Sequence, residues 1–407
     1  MTTATLPRPY YRVLGASSLS NLADGIRMAA FPLLAASLTD DARLIALVFA
    51  AGEAPWIVFG LWAGNVADRL DRQRLTAQVS AARALLLFAL AGLILAGAVP
   101  FWLVVSVAFI LGIAEVFADS AAGTLVPSIV EPDQLERANS RMVAAQIAGN
   151  ELVGPAAGGI LFAAGAALPF LTNGTLLTMA FFLLAGLHLT AQTQPDAETE
   201  TEDDRWQTGL FDGFPFISNR PLLRTITAVS AILAAVDAAW FALLVLFVQA
   251  QLGFGAGGFG LALAVGAVGG LAGAAIADHH PNQPMSAVTA VVFGSSAGSL
   301  ILLGAVPTPA ATFVVLAVTS GAFAVWNVHV VATRQRATPH HLLGRVGAAF
   351  RTVVIAASIM GAIGGGVLAD LTSVRTALAG YGVLLLAVAP LAVVAVRRAE
   401  KVGETDL

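Results

Sequence analysis

Twelve apolar runs, each long enough to cross a lipid bilayer, divide this chain almost from end to end. They fall at 11–38, 43–66, 76–97, 101–127, 142–163 and 168–190, then at 223–251, 256–277, 286–306, 310–332, 346–370 and 375–396. A membrane helix needs about 20 mainly apolar residues. The strands of a membrane barrel would instead show alternating segments about ten residues long. These runs are apolar throughout, so the spans are helices. Composition agrees: 57% of residues are hydrophobic and 11% are charged, against about 25% charged in soluble domains. In water such a chain would expose large apolar patches, which soluble proteins avoid. The predicted fold class is an all-α membrane protein of twelve transmembrane helices in two six-helix bundles.

Arginine placement sets the expected orientation. With twelve spans both termini share a side, and that side collects Arg8, Arg12, Arg137, Arg141, Arg220, Arg224, Arg336, Arg345 and Arg397 among others. The opposite loops hold only Arg43 and Arg375. Cytoplasmic termini in the inner membrane follow as the expectation. The first run is too long for a signal-peptide core and lacks a small-residue cleavage site, so it reads as a retained helix. A net charge of −4 gives no reason to expect a nucleic-acid partner, and the absence of Cys excludes disulfides and thiolate metal sites. No metal and no cofactor is expected.

The halves repeat. Pro132–Leu135 aligns with Pro339–Leu342 at an offset of 207, and Gly154 and Gly158-Gly159 align with Gly361 and Gly365-Gly366 at the same offset. Ala67-Asp68 matches Ala277-Asp278 at an offset of 210. Two related six-helix halves with a substrate site between them are a transporter design. The expected domains are 1–190, a cytoplasmic linker at 191–221, and 222–407. Within the linker, Gln194–Asp204 is acidic and turn-rich, whereas Trp206–Leu223 mixes Phe211, Phe214, Phe216 and Ile217 with polar residues. That second part reads either as a short amphipathic surface segment or as a loose loop. Glycines concentrate on spans 2, 5, 8 and 11, which suggests close packing where the two halves meet.

Gly64-Asn65-Val66-Ala67-Asp68-Arg69-Leu70-Asp71-Arg72-Gln73-Arg74, between spans 2 and 3, resembles the loop signature of the major facilitator superfamily. Asp71 stands where that family usually has Gly. Asn21–Gly25 with Phe31–Leu34, Asn219–Arg224, and Thr338-Pro339 through Val346 are similar to the branch that includes enterobactin exporters and macrolide-efflux proteins. The resemblance covers essentially the whole chain and implies the major facilitator fold, alternating access and a monomer. It also implies a cytoplasmic latch at Gly64, Asp68, Arg69, Arg72 and Arg74, with Asp119 pairing to Arg72 and Glu115 on the same helix face. Gly149, Gly154, Pro155, Gly158 and Gly159 partly match the fifth-helix motif of antiporters. Ala108 stands where drug–proton antiporters carry an Arg, which leaves coupling through that residue unsupported.

Carboxylates inside spans carry the functional signal, because an acid at a helix centre costs about 2.5–3.5 kcal/mol and needs a partner, a cavity or a task. The candidates are Asp24, Glu53, Glu115, Asp119, Glu151 and Asp237. Asp24 and Asp237 lie on equivalent spans 1 and 7 and are expected at the central cavity, Asp24 as the leading proton or cation site. Asp24 also has an alternative partner in Arg27, one turn along, and Arg27 could itself contact an anionic substrate. Glu151 sits before the Gly154-Pro155 break, where an unwound carbonyl or a neighbouring helix could satisfy it; Glu53 has no assigned role. His188 and His329 read as packing residues. The chain has no phosphate-binding loop, HExxH motif, Cys nucleophile or serine elbow, so no enzyme is expected. The favoured expectation is proton-coupled export of a lipophilic or amphipathic small molecule such as a drug, antibiotic or siderophore. The alternatives are a proton-coupled importer or symporter, and a gradient-independent lipid scramblase or sensor.

Overall fold

The computed structural model describes residues 6–60, 62, 71–122, 125–126, 129–131, 134–187, 211–281, 283–339 and 342–405. The first six long helices are α1 (Arg8–Leu38), α2 (Ala42–Phe59), α3 (Arg72–Leu95), α4 (Phe101–Ala122), the composite α5 and α6 (Leu168–Ala185). Helix α5 runs as Leu135–Gln146, a π-helical stretch Ile147–Val153, and Gly154–Ala164. A short α7 (Gly213–Asn219) leads into α8 (Pro221–Leu246), which continues as a π-helical turn Phe247–Gln251. Then follow α9 (Ala256–His279), α10 (Met285–Ala305), α11 (Pro309–Arg336), α12 (Leu343–Leu371) and α13 (Val374–Thr405). Eleven helices among the described residues are long and apolar enough to cross a membrane. Helix α1 is 31 residues long, but Ser17, Ser18, Ser20, Asn21, Asp24 and Arg27 lower its hydropathy.

Local chemistry fixes the helix ends. Prolines occupy the first turns of α1, α6, α8 and α11, where the missing N–H has no intrahelical partner to lose. Asp71 caps α3 by accepting from the Arg74 N–H at 3.1 Å, and Thr308 caps α11 by accepting from Ala311 at 3.3 Å. The last carbonyls of α6 are satisfied from other helices. Gln73 Nε2 donates to Leu184 and Leu187 at 2.8 and 2.6 Å, and Arg12 donates to Gly186. The last helix continues past the expected end at 396. Arg397, Arg398, Glu400 and Lys401 end the apolar run, yet they are good helix formers.

The chain forms two compact units, each built mainly from one half of the sequence with a short segment from the other. One contains 1–39, 51–199 and 255–264; the other contains 40–50, 200–254 and 265–407. Small residues explain the exchange. In the first unit a Cβ on Gly159 would lie 2.6 Å from the Ala256 carbonyl oxygen and 2.7 Å from Gly260 Cα, so the start of α9 packs there. In the second unit Ala46 of α2 is buried with Ala238, Ala242 and Ala362, and Gly366 abuts Ala42 and Arg43.

Within each unit the same helix pairs pack. In the first, α3 lies along α6, α1 along α5 and α6, and α4 along α3; in the second, α10 lies along α13, α8 along α12 and α13, and α11 along α10. The glycines repeat as well. Gly158 of α5 presses on Ile26 of α1, and its counterpart Gly365 of α12 presses on Ala239 of α8. The glycines of spans 5 and 11 therefore serve contacts with spans 1 and 7 of their own unit, besides those with the starts of α9 and α2. Of the expected linker, 191–210 lie outside the described residues. From Phe211 on, α7 docks through buried Gly213 and Ile217, with Asp212 pairing to Arg345 of α12 at 3.2 Å.

Candidate functional site

Four charges of the first unit gather where α1, α3 and α4 meet. The polar stretch of α1 presents Asp24 and Arg27 one turn apart, with Arg27 Nε 3.6 Å from Asp24 Oδ1. Arg83 of α3 reaches the same Asp24 oxygen and is 2% exposed, which makes it the most buried charge of the group. Arg27 extends its Nη2 to Glu115 Oε2 of α4 at 2.5 Å. A chain of four charges thus runs Arg83–Asp24–Arg27–Glu115 through the unit. Glu53 of α2 is partly buried and lies within electrostatic range of both Glu115 and Arg27. It makes no ion pair or hydrogen bond among the described residues.

Neighbouring polar groups hold the cluster in place. Asn173 of α6, 1% exposed, donates to the Ala23 carbonyl at 2.6 Å. Ser20 Oγ accepts weakly from Arg83 at 3.5 Å. Arg27 Nε, Arg83 Nε and Asn173 Oδ1 are buried without a hydrogen-bond partner among the described residues. Close packing fixes the α1 backbone beneath these side chains: a Cβ on Gly25 would lie 2.5 Å from the Gly149 carbonyl oxygen of α5.

The other expected residues separate into distinct places. Asp237 of α8 has no ion pair among the described residues and lines a cavity of about 20 Å³ inside the second unit, with Trp240, Ser296, Leu300, Thr319 and Phe323. That volume holds roughly one water. Glu151 is exposed on the π-helical stretch of α5, so the expected unwound break at Gly154-Pro155 is instead a widened turn. Pro155 cannot donate to the carbonyl four residues back, and Gly154 N–H bonds to Gly149 O, one residue farther than in an α-helix. Gly149, Gly154, Gly158 and Gly159 then serve close packing against α1 and α9.

Of the expected latch, Gly64, Asp68 and Arg69 lie outside the described residues. Arg74 is exposed and pairs with Asp71 of its own helix cap at 3.2 Å. Arg72 and Asp119 each have an interaction partner. Glu115, expected beside Asp119, joins Arg27 and so belongs to the buried cluster. Arg83 and Asn173 escaped the sequence reading, although a lone Arg in mid-span was itself a signal. His329 bonds the Val325 and His280 carbonyls, and His188 lies outside the described residues.

The profile of the Major Facilitator Superfamily matches residues 13–354. The chain belongs to the Major Facilitator Superfamily. Among characterised members it is 26% identical over 380 residues to the multidrug efflux pump Tap of Mycolicibacterium fortuitum, covering 90% of this chain and 91% of that one. Its fold is similar to a bacterial homologue of the lysosomal transporter Spinster in the inward-facing, unoccupied conformation (TM-score 0.76, 14% identity, 98% of this chain and 99% of that chain). It is also similar to the nucleoside transporter NupG (TM-score 0.76, 13% identity, 96% and 99%). At those identities the structural likeness establishes the fold. This major facilitator protein is a multi-pass membrane transporter and not an enzyme.

Proposed function

We propose that this transporter exports amphipathic, cationic or neutral small molecules in exchange for protons, and that the charge cluster of the first unit couples the two fluxes. The supporting observation is a charge imbalance. Two guanidiniums, Arg27 and Arg83, face three carboxylates, Asp24, Glu115 and Glu53. Arginines stay protonated in proteins, so Asp24 and Glu115 are matched by fixed cations and Glu53 is the surplus acid. A buried unpaired carboxylate is costly and is neutralised by a proton or a cation. A proton on Glu53 and a cationic group on the substrate therefore compete for one charge, and that competition links the flows. Asp24, expected from sequence as the exchanging group, acts in this reading as the fixed counter-ion that orients Arg27 and Arg83.

The relationship to Tap favours export, and the arginine asymmetry favours cytoplasmic termini in the inner membrane. The transporter works as a monomer, as the fold family implies. Asp237, without an ion pair among the described residues and beside its small cavity, is a second place for a proton.

Inverted membrane vesicles carrying a pH-sensitive dye test the proposal. After energisation, a panel of lipophilic cations, macrolides and siderophores is added to vesicles with wild type, Glu53→Gln or Asp237→Asn. Substrate-triggered proton release in wild type that disappears in Glu53→Gln is expected. Release lost only in Asp237→Asn would move the coupling to the second unit. Accumulation of a compound without proton movement in wild type would remove antiport altogether.

A further inference from the structure

Four helix ends of the second unit surround a cavity of about 1270 Å³, far from the cluster described above in both sequence and chemistry. The starts of α8 and α10 and the ends of α11 and α13 form its walls, so it opens at the end of the unit where α13 finishes. Its polar rim carries Arg220, Arg336, Arg397 and Lys401 against one acid, Glu400. Glu400 is already directed at the backbone, accepting from the Ser286 N–H at 3.3 Å. Arg220 is held in position by stacking 4.2 Å from the Phe216 ring centroid and by donating to the Ala337 carbonyl at 3.2 Å. Arg336 and Arg397 make no ion pair among the described residues. The lining also has an apolar wall, with Leu222, Leu223, Ala287, Ala290 and Val393.

We infer that this cavity binds the phosphodiester headgroup of an anionic glycerophospholipid, with an acyl chain against the apolar wall. Charge selects the ligand: three arginines, Arg220, Arg336 and Arg397, stand against the single acid Glu400, and basic pockets between membrane helices recognise anionic headgroups. Size and polarity select the source. An inorganic phosphate would fill a small part of the space and leave the apolar wall without a contact. A lipid from the adjoining leaflet fits both parts. By the arginine asymmetry that leaflet is the cytoplasmic one, where the anionic surface potential acts. This cavity shares no residue with the charge cluster of the first unit.

The test uses full-length protein purified in an uncharged detergent and native mass spectrometry. Retained phosphatidylglycerol and phosphatidylcholine are titrated on wild type, on the triple variant R220Q/R336Q/R397Q and on a control, R137Q/R141Q, at the start of α5 in the first unit. Each cation contributes about fivefold to the binding of an anionic lipid, so the triple variant should bind phosphatidylglycerol roughly 100-fold more weakly. The control should bind like wild type, and phosphatidylcholine should bind weakly to all three. Should the triple variant fail to fold, R397Q with R397K as the charge-retaining rescue carries the same comparison. Millimolar inorganic phosphate is included as a competitor and should leave the lipid in place. Equal binding by wild type and triple variant, no preference over phosphatidylcholine, equal loss in the control, or displacement by phosphate alone each overturns the assignment.

Discussion

Replacing Arg83 with Gln removes the most buried charge of the cluster and leaves Asp24 with a single partner. Arg83 is 2% exposed and Asp24 12% exposed, so solvent screens this pair little. Breaking a buried pair by deleting one member costs about 3–5 kcal/mol, because the remaining charge stays buried. Arg27 Nε still lies 3.6 Å from Asp24 Oδ1, which places the expected loss near the lower bound, about 3 kcal/mol. The companion Asp24→Asn strands Arg83 in the same way. The double variant removes both charges together and should lose less than the sum, with a coupling of about 1–3 kcal/mol. Unfolding in mixed micelles of denaturing and mild detergent, followed by tryptophan fluorescence, gives the four stabilities of the cycle. Two single losses each under about 1 kcal/mol that simply add would refute a buried, mutually dependent pair.

Gly158→Ala should abolish transport at an unchanged membrane level. Its Cβ would lie 2.5 Å from the Ile26 carbonyl oxygen, and overpacking of this kind costs about 1–3 kcal/mol. Gly298→Ala, with nothing within 4 Å of the added carbon, should transport normally; substrate uptake by inverted vesicles compares the two. Asp41, in the loop before α2, accepts from the Arg43 backbone N–H, Nε and Nη2 at 2.8, 3.1 and 2.8 Å, and these bonds hold its carboxyl below the usual range. A lowered carboxylate contributes stability above its unfolded value near 3.9 and loses it as pH falls through the folded value. The deficit of Asp41→Asn should therefore be small and salt-sensitive, steady between about pH 8 and 5, and closing only below about pH 4. Unfolding across that pH series measures it. Because the chain has no Cys, single cysteines report orientation without background. Ser373→Cys should react with an impermeant maleimide from outside intact cells, and Ser218→Cys only after lysis.

The helices were legible in the sequence because lipid allows few alternatives: a long apolar run must be a helix or a barrel strand. The repeat was legible through Gly154, Gly158-Gly159 and their counterparts, and the structure gives those glycines equivalent neighbours in both units. Side-chain partners were less accessible. Asp24 and Arg27 are neighbours along one helix, so their contact could be read from spacing. Arg83 and Glu115 join them from helices 59 and 88 residues away, and no local pattern encodes which face of α3 or α4 meets α1. Glu53 had no role for the same reason, since its surroundings are supplied by α1 and α4. The resemblance to the superfamily associates Glu115 with the loop latch, and its pairing with Arg27 comes from packing that the resemblance does not describe. The packing of the starts of α2 and α9 depends on where glycine and alanine allow a close approach, which no local pattern encodes.

The claim that Glu53 carries the exchanging proton is tested most directly by separating exchange from driven transport in proteoliposomes. Glu53→Gln should still swap labelled for unlabelled substrate across the membrane at near the wild-type rate, because a neutral side chain mimics the protonated acid. The same variant should fail to accumulate substrate under an imposed proton gradient. Proton-driven accumulation by Glu53→Gln at the wild-type level would contradict the account and place the coupling elsewhere.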